Sequence, residues 1–222
     1  MQYLYHINAG TPHLSLEGEN HRYIFKVRRH KAGDTLYARN LQDGLIHRYR
    51  IAMIDKKRVD LVLEESRALE IKAERSLHIG WCVIDPKNIE KHITSLNEMG
   101  VEKITFIYCA RSQKDFKIDL VRLKKILLNS SQQSGRSTMM ELESAKDLKS
   151  FLAQHPQSYL LNFSDTALTK ETPVDTIIVG CEGGFNQDEI ALFASEKIVG
   201  FDTPLVLKSE SAACAVAAKI LL

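Results

Sequence analysis

The sequence lacks an apolar run long enough to cross a bilayer. Its most apolar stretch, Ala212 to Ala218, is cut off by Lys219, far short of the roughly 20 residues that a helical span takes. The first six residues, Met1-Gln2-Tyr3-Leu4-Tyr5-His6, include no basic start followed by a long apolar segment, so no secretory leader is expected. The expectation is a cytoplasmic protein without a membrane partner. Cysteine is scarce, and Cys82, Cys109, Cys181 and Cys214 form neither a CxxC pair nor a zinc-ligand spacing. Free thiols in a reducing compartment are expected. The eight histidines are scattered, with no HExxH, so no metal site is expected. The phosphate-loop pattern GxxxxGKS/T is missing too, which disfavours an α/β enzyme acting on a nucleoside triphosphate.

What is present suits a folded chain. Of 222 residues, 44% are hydrophobic and 26% charged, ample for a core. The net charge of +2 is unevenly spread. From His21 to Arg58 there are eleven basic residues (Arg22, Lys26, Arg28, Arg29, Lys31, Arg39, Arg48, Arg50, Lys56, Lys57, Arg58) against Asp34, Asp43 and Asp55, a net +8 that leaves −6 for the rest. A local excess of this size suits phosphate contact and electrostatic steering toward nucleic acid. The alternative is a solvated basic face with no partner.

The first seventy residues read as mostly β. Asn20 is placed to cap a short helix carrying Tyr23, Ile24 and Val27. Thr35 to Leu41, Ile46 to Ile54 and Val59 to Leu63 alternate like strands, and Asp43-Gly44 is a hairpin signal. Short strands and tight turns predict a small barrel with the basic residues on its turns and outer face. A polar stretch from Leu69 to Arg75 marks a boundary, giving domains over 1–70 and 71–222.

Beyond it, strands alternate with helices. Strands are predicted at Leu77–Ile84, Lys103–Tyr108, Ser158–Phe163, Thr176–Val179 and Ile198–Phe201. Asp85-Pro86 opens a helix that stops at Gly100, Asp119 to Gln133 is a second, and Ala145 to Gln154 a third. Asn186 with Glu189 forms a capping box for a fourth, and Ser209 is placed to cap an Ala-rich last helix. The fold class is therefore α/β: a mostly parallel sheet with helices on both faces, preceded by a small β domain.

Two strand-end loops could carry chemistry, since ligands of such sheets bind at the carboxyl ends of strands. Gly180-Cys181-Glu182-Gly183-Gly184-Phe185 lets backbone approach a ligand closely. Asp202-Thr203-Pro204-Leu205-Val206-Leu207 runs into Lys208-Ser209-Glu210, a helix start with exposed N–H groups. Either loop could also be a plain tight turn, and Glu210 plain dipole compensation.

At these residues the chain resembles a known family. Gly180 to Asn186, with Asp188-Glu189-Ile190, is similar to the "GPEGGFS…E" motif of SPOUT-superfamily ribosomal RNA methyltransferases, and more narrowly of the ribosomal RNA small subunit methyltransferase E family. Val206-Leu207-Lys208-Ser209-Glu210-Ser211-Ala212 resembles "ILRTETA", Asn97 to Val101 "IELGV", Gln133-Ser134-Gly135-Arg136 "EQSGR", and His21 to Asp34 "HHIVKVLR…GD". Five motifs in order cover nearly the whole chain. Five positions depart from the pattern: Ser95 for lysine, Cys181 for proline, Thr203 for glycine, Leu205 for a basic residue and Lys208 for arginine. Lysine cannot copy arginine's bidentate fork.

The resemblance implies a PUA-like RNA-binding barrel and a C-terminal domain with a deep trefoil knot. It implies a homodimer that methylates N3 of one uridine in 16S rRNA of the small ribosomal subunit. S-adenosylmethionine would be held by Leu161 and Asn162, with Phe163 completing that wall, by Gly180, Cys181, Glu182, Gly183 and Gly184, and by Phe201, Thr203, Leu205, Val206, Leu207 and Ser209. RNA would be held by Arg22, Lys26, Arg28, Arg29, Lys31 and Arg111. Uracil N3 carries a proton and lies on the pairing edge, so the base must be unpaired and the proton removed. Glu210 is the candidate proton acceptor, with Lys208 and Arg136 as candidates to stabilise the uracil anion. The competing reading is a non-catalytic, ribosome-associated RNA-binding protein that keeps the fold.

Overall fold

The computed structural model of the chain describes residues 2–22, 24 and 29–222. Lys26 and Arg28, two of the expected RNA contacts, lie outside the described residues. The chain folds as two compact units: Met1–Lys72 with Ser131–Thr138, and Ala73–Ser130 with Met139–Leu222.

The N-terminal unit is built on a five-stranded sheet. Its strands are β1 (Leu4–Tyr5), β2 (His13–Glu17), β3 (Thr35–Arg39), β4 (Leu45–Ile54) and β5 (Arg58–Ala68), in the order β1-β3-β4-β5-β2. Period-two alternation sets the buried face: in β2, Leu14 and Leu16 are buried while His13, Ser15 and Glu17 are exposed. The β3–β4 hairpin turns at Gly44, whose φ of +71° is one that residues with a side chain rarely adopt, and Asp43 Oδ1 accepts the Leu45 N–H at 2.8 Å. Register shifts at Arg48/Tyr49 and Ile51/Met53 of β4 mark bulges, which bend strands and sharpen their twist. The small barrel thus takes the form of a curled sheet whose two longest strands exceed the predicted lengths. The first helix, α1 (Gly18–Arg22), begins before Asn20 instead of being capped by it. Gly18 itself takes a positive φ of 58°, which lets the helix follow β2 without a spacer.

Not all the basic residues face outward. Arg39 is 1% exposed, donates to the carbonyls of Leu45 (3.2 Å) and Leu69 (2.8 Å), and sits 5.5 Å above the Tyr3 ring. It is a structural cation. Arg48 and Arg50 each lie 3.4 Å from Glu64, and Arg58 lies 3.1 Å from Asp60. Those acids come from β5 and fall just outside the window that summed to +8, so part of that excess is neutralised within the sheet.

The C-terminal unit holds a six-stranded sheet, parallel throughout. It comprises β6 (His78–Cys82), β7 (Lys103–Ile107), β8 (Glu141–Ala145), β9 (Tyr159–Leu161), β10 (Thr176–Val179) and β11 (Ile198–Val199), in the order β11-β9-β10-β6-β7-β8. The connecting helices are α2 (Pro86–Met99), α3 (Leu120–Ser134), α4 (Leu148–Gln154), α5 (Gln187–Ile190) and α6 (Ser209–Leu221). β6 runs through the middle with every residue buried, as expected of a strand covered on both sides. Consecutive residues of a strand point to opposite faces, and β6 shows what covers each. A Cβ on Gly80 would lie 3.0 Å from Phe151 of α4, whereas Trp81 Nε1 donates to Ser209 Oγ of α6 at 2.9 Å. Helices therefore cover both faces.

The punctuation of α2 follows the sequence: Asp85 caps it through the Lys87 N–H at 2.8 Å, and Gly100 ends it at φ 99°. Three expectations need correction. Residues 141–145 form the edge strand β8, so the helix predicted from Ala145 starts only at Leu148, capped by Asp147. Ser209 is the first residue of α6 and not its cap, because its hydroxyl is bonded to Trp81 and to the Gly180 carbonyl. Cys82 and Cys109 are joined in a disulfide, leaving Cys181 and Cys214 as thiols. A separation of 27 residues hides this pair; the parallel pairing of β6 with β7 brings their ends together.

Candidate active site

Because β11, β9 and β10 are adjacent and parallel, the loops that leave them emerge at one edge of the sheet. The loop after β9 runs beside the start of the loop after β11, where Ala167 and Gly200 form a parallel bridge. Asn162 N–H donates to the Val199 carbonyl at 2.9 Å, Gly200 N–H to the Thr166 carbonyl at 2.9 Å, and Leu168 N–H to the Gly200 carbonyl at 2.7 Å. A Cβ at Gly200 would come within 2.8 Å of the Ser164 carbonyl oxygen. The three nearest atoms are all backbone of residues 162–164, which cannot readily give way, so glycine is what fits. Gly200 is thus a site-shaping residue that the sequence reading passed over; its place between a short strand and Phe201 was the available signal.

The loop after β10 folds back on itself, with Gly184 at φ +64° and its N–H on the Cys181 carbonyl at 2.9 Å. It leads into α5, where Asn186 Oδ1 accepts the Glu189 N–H at 2.8 Å and Glu189 Oε2 accepts the Asn186 N–H at 3.0 Å. This is the predicted capping box. Cys181, standing where the motif has proline, is buried, and its thiol reaches the Gly184 carbonyl at 3.8 Å. Glu182 is exposed.

The loop after β11 is turned outward. Thr203 and Leu205 are exposed, and Thr203 Oγ1 accepts the Leu205 N–H at 3.2 Å. Large apolar side chains stand in solvent on two of these loops: Phe163 is 81% exposed, Leu205 72% and Val206 77%. Large apolar side chains this exposed are uncommon away from binding surfaces. Leu161 and Phe201 are half-buried.

The three candidate catalytic residues lie in different settings. Glu210 is 7% exposed, and among the described residues its Oε2 has no hydrogen-bond partner. Its carboxylate and burial together push the Cys214 thiol above its usual range, burial contributing more. Lys208 is exposed. Arg136 is 6% exposed and belongs to the segment grouped with the N-terminal unit. Of the expected RNA contacts, Arg22, Arg29 and Lys31 are exposed. Arg111 lies elsewhere, in the loop after β7, where Nη1 donates to the Gly183 carbonyl at 2.7 Å. A separate cleft of about 570 Å³ opens beside that loop, lined among others by Tyr108, Lys114, Lys149, Asn186 and Glu189. It borders the predicted loops without containing their glycines.

Residues 71–221 match the family description "RNA methyltransferase domain", and residues 16–64 match "RNA methyltransferase PUA domain". The chain is 38% identical over 221 residues to a ribosomal RNA small subunit methyltransferase E of Helicobacter pylori, with 98% of each chain covered. The chain belongs to the ribosomal RNA small subunit methyltransferase E family. A family member from Rickettsia conorii is 26% identical over 85% of this chain and 80% of its own. In three dimensions the fold is similar to that of the small subunit methyltransferase E of Neisseria gonorrhoeae, solved with S-adenosyl methionine bound. The TM-score is 0.80 at 16% identity, over 98% of this chain and 95% of that one. Both units of the fold thus have their counterpart in the family.

Proposed function

We propose that the protein transfers the methyl group of S-adenosylmethionine to N3 of one uridine in the small-subunit ribosomal RNA, as a homodimer. The observation that carries this reading is the gathering of the loops after β9, β10 and β11 at one sheet edge, in a chain of this family. The residues present fit the donor. Gly183 is exposed and Gly184 has open space where a side chain would stand, Gly200 lets two loops lie close together, and Phe163, Leu205 and Val206 offer apolar cover for an adenosyl group.

The donor supplies a methyl already made electrophilic by its sulfonium, so the protein's work lies on the uracil side. The reacting base must be held in line with the methyl and kept from water. The proton on N3 must leave, and Glu210 is suited to accept it through the oxygen that no donor occupies. Lys208 is the cation assigned to the negative charge that develops on uracil. Arg22, Arg29 and Lys31 on the PUA-like unit, with Lys26 and Arg28, are assigned to phosphate. The exposed apolar loops and the Ala-rich α6 are assigned to the dimer contact. The deciding measurement is mass-spectrometric mapping of methylated nucleotides in 16S rRNA from cells with and without the gene. Loss of one N3-methyluridine is expected. Loss of a carbon-5 or ribose-oxygen methyl instead would overturn the assignment.

A further inference from the structure

In the sheet order, β10 and β7 are not neighbours; β6 lies between them. Yet the loops that leave β10 and β7 are tied together across the end of β6. Glu189 makes one of the ties. It is 8% exposed, and while Oε2 closes the capping box of α5, Oε1 accepts the Ala110 N–H from the β7 loop at 2.8 Å. Capping the helix requires only one of those oxygens. The second bond reaches 79 residues away. Arg111 makes the other tie, Nη1 to the Gly183 carbonyl at 2.7 Å. The fit there is close: a Cβ on Gly183 would lie 3.2 Å from Arg111 Cβ and 3.3 Å from its Cδ. The β7 loop is itself anchored, because Cys109, between Tyr108 and Ala110, is bonded to Cys82 at the end of β6.

We propose that Glu189 and Arg111 are positioning residues for the methyl donor: through residues 109–111 they hold the Gly180–Asn186 backbone in its binding shape. This rests on the reading of that backbone as the donor site. A glycine-rich loop left untied samples many conformations, and ordering it on binding subtracts from affinity. An anchored neighbour removes that cost before the donor arrives. Glu189 does this from a position that is legible as a helix cap, and Arg111 from one that suggests RNA contact.

The test separates these roles by measuring S-adenosylmethionine affinity calorimetrically without RNA, alongside the melting temperature. Glu189→Gln keeps a capping residue, since glutamine serves equally in a capping box. It cannot serve both N–H groups from where they stand, because Asn186 and Ala110 donate to different oxygens of Glu189, and in glutamine one of those positions holds an NH2 that only donates. Arg111→Ala removes an exposed side chain and should barely alter folding. Each variant should bind the donor about tenfold more weakly, as loss of a charge-assisted hydrogen bond implies, with Arg111→Lys recovering part of the loss. Because the two ties serve one loop, the double variant should lose less than the product of the two effects. Wild-type affinity in both single variants would overturn the proposal while leaving the donor site intact. A wild-type protein that fails to bind the donor would overturn both.

Discussion

Ser209 offers a sharp test of how the candidate site is held to the core. Its hydroxyl accepts the Trp81 Nε1–H at 2.9 Å and donates to the Gly180 carbonyl, linking α6, β6 and the β10 loop through one oxygen. Ser209 is 5% exposed and Trp81 fully buried. Ser209→Ala would strand an indole N–H that can only donate, and would take a donor from Gly180. A buried group left unpaired costs about 1–3 kcal/mol, so two such groups put the loss at about 2–6 kcal/mol. For a chain of this size that lowers the melting temperature by roughly 4–24 °C. Trp81 is the only tryptophan, so urea denaturation followed by its fluorescence reads stability and local environment together. Trp81→Phe combined with Ser209→Ala should cost less than the sum of the single changes, since it removes donor and acceptor together. A Ser209→Ala protein within about 0.5 kcal/mol of wild type, the range of an ordinary surface change, would refute the reasoning.

His78 should make stability pH-dependent. Burial first, then the nearby charges of His155 and Lys103, pull its pKa from 6.5 down to about 4. The unfolded chain therefore takes up this proton before the folded one, and stability should fall as pH drops from about 6.5 to about 4. His78→Gln, with a side chain still able to meet the Thr105 hydroxyl that lies 2.8 Å from His78 Nε2, should flatten that slope in denaturant titrations; an unchanged slope would assign it to other groups. Light scattering should give a mass near twice the 25.2 kDa of one chain, and a stable monomer at micromolar concentration would remove the dimer. Arg29→Ala and Lys31→Ala should each lower the salt dependence of RNA binding by about one unit of log–log slope for every phosphate the side chain neutralises. Unaltered slopes would make them a solvated face.

Local signals were legible where one interaction decides the outcome. Asp85, Pro86 and Gly100 bound α2 because capping and a left-handed end are set within four residues. The β-branched run Thr176–Val179 matches β10 at both ends. The strand β8 was hidden because it is an edge strand with only Leu142 buried, and Glu-Leu-Glu-Ser-Ala offers little apolar alternation. Partners far apart in the chain were hidden for a different reason. Nothing around Cys82 points to Cys109, nothing around Arg39 points to the Leu69 carbonyl, and nothing around Glu189 points to Ala110. In the site, the glycine-rich loop was visible as a pattern, whereas Gly200 owes its identity to a carbonyl 36 residues earlier, in Ser164.

The N-terminal unit is not one continuous stretch. Residues 131–138 return to it, and Tyr3 N–H donates to the Gln132 carbonyl at 3.2 Å and Tyr5 N–H to Gln132 Oε1 at 2.7 Å. The Tyr3 hydroxyl donates to the Arg136 carbonyl at 2.8 Å, and Ser137 N–H to the Ile71 carbonyl at 3.0 Å. Recombination that traded the first 72 residues between two relatives would set new side chains against the recipient's 131–138 and break these fits. The PUA-like part cannot be inherited as a cassette, and the two stretches must drift in step, although residues 73–130 of the other unit lie between them in the gene.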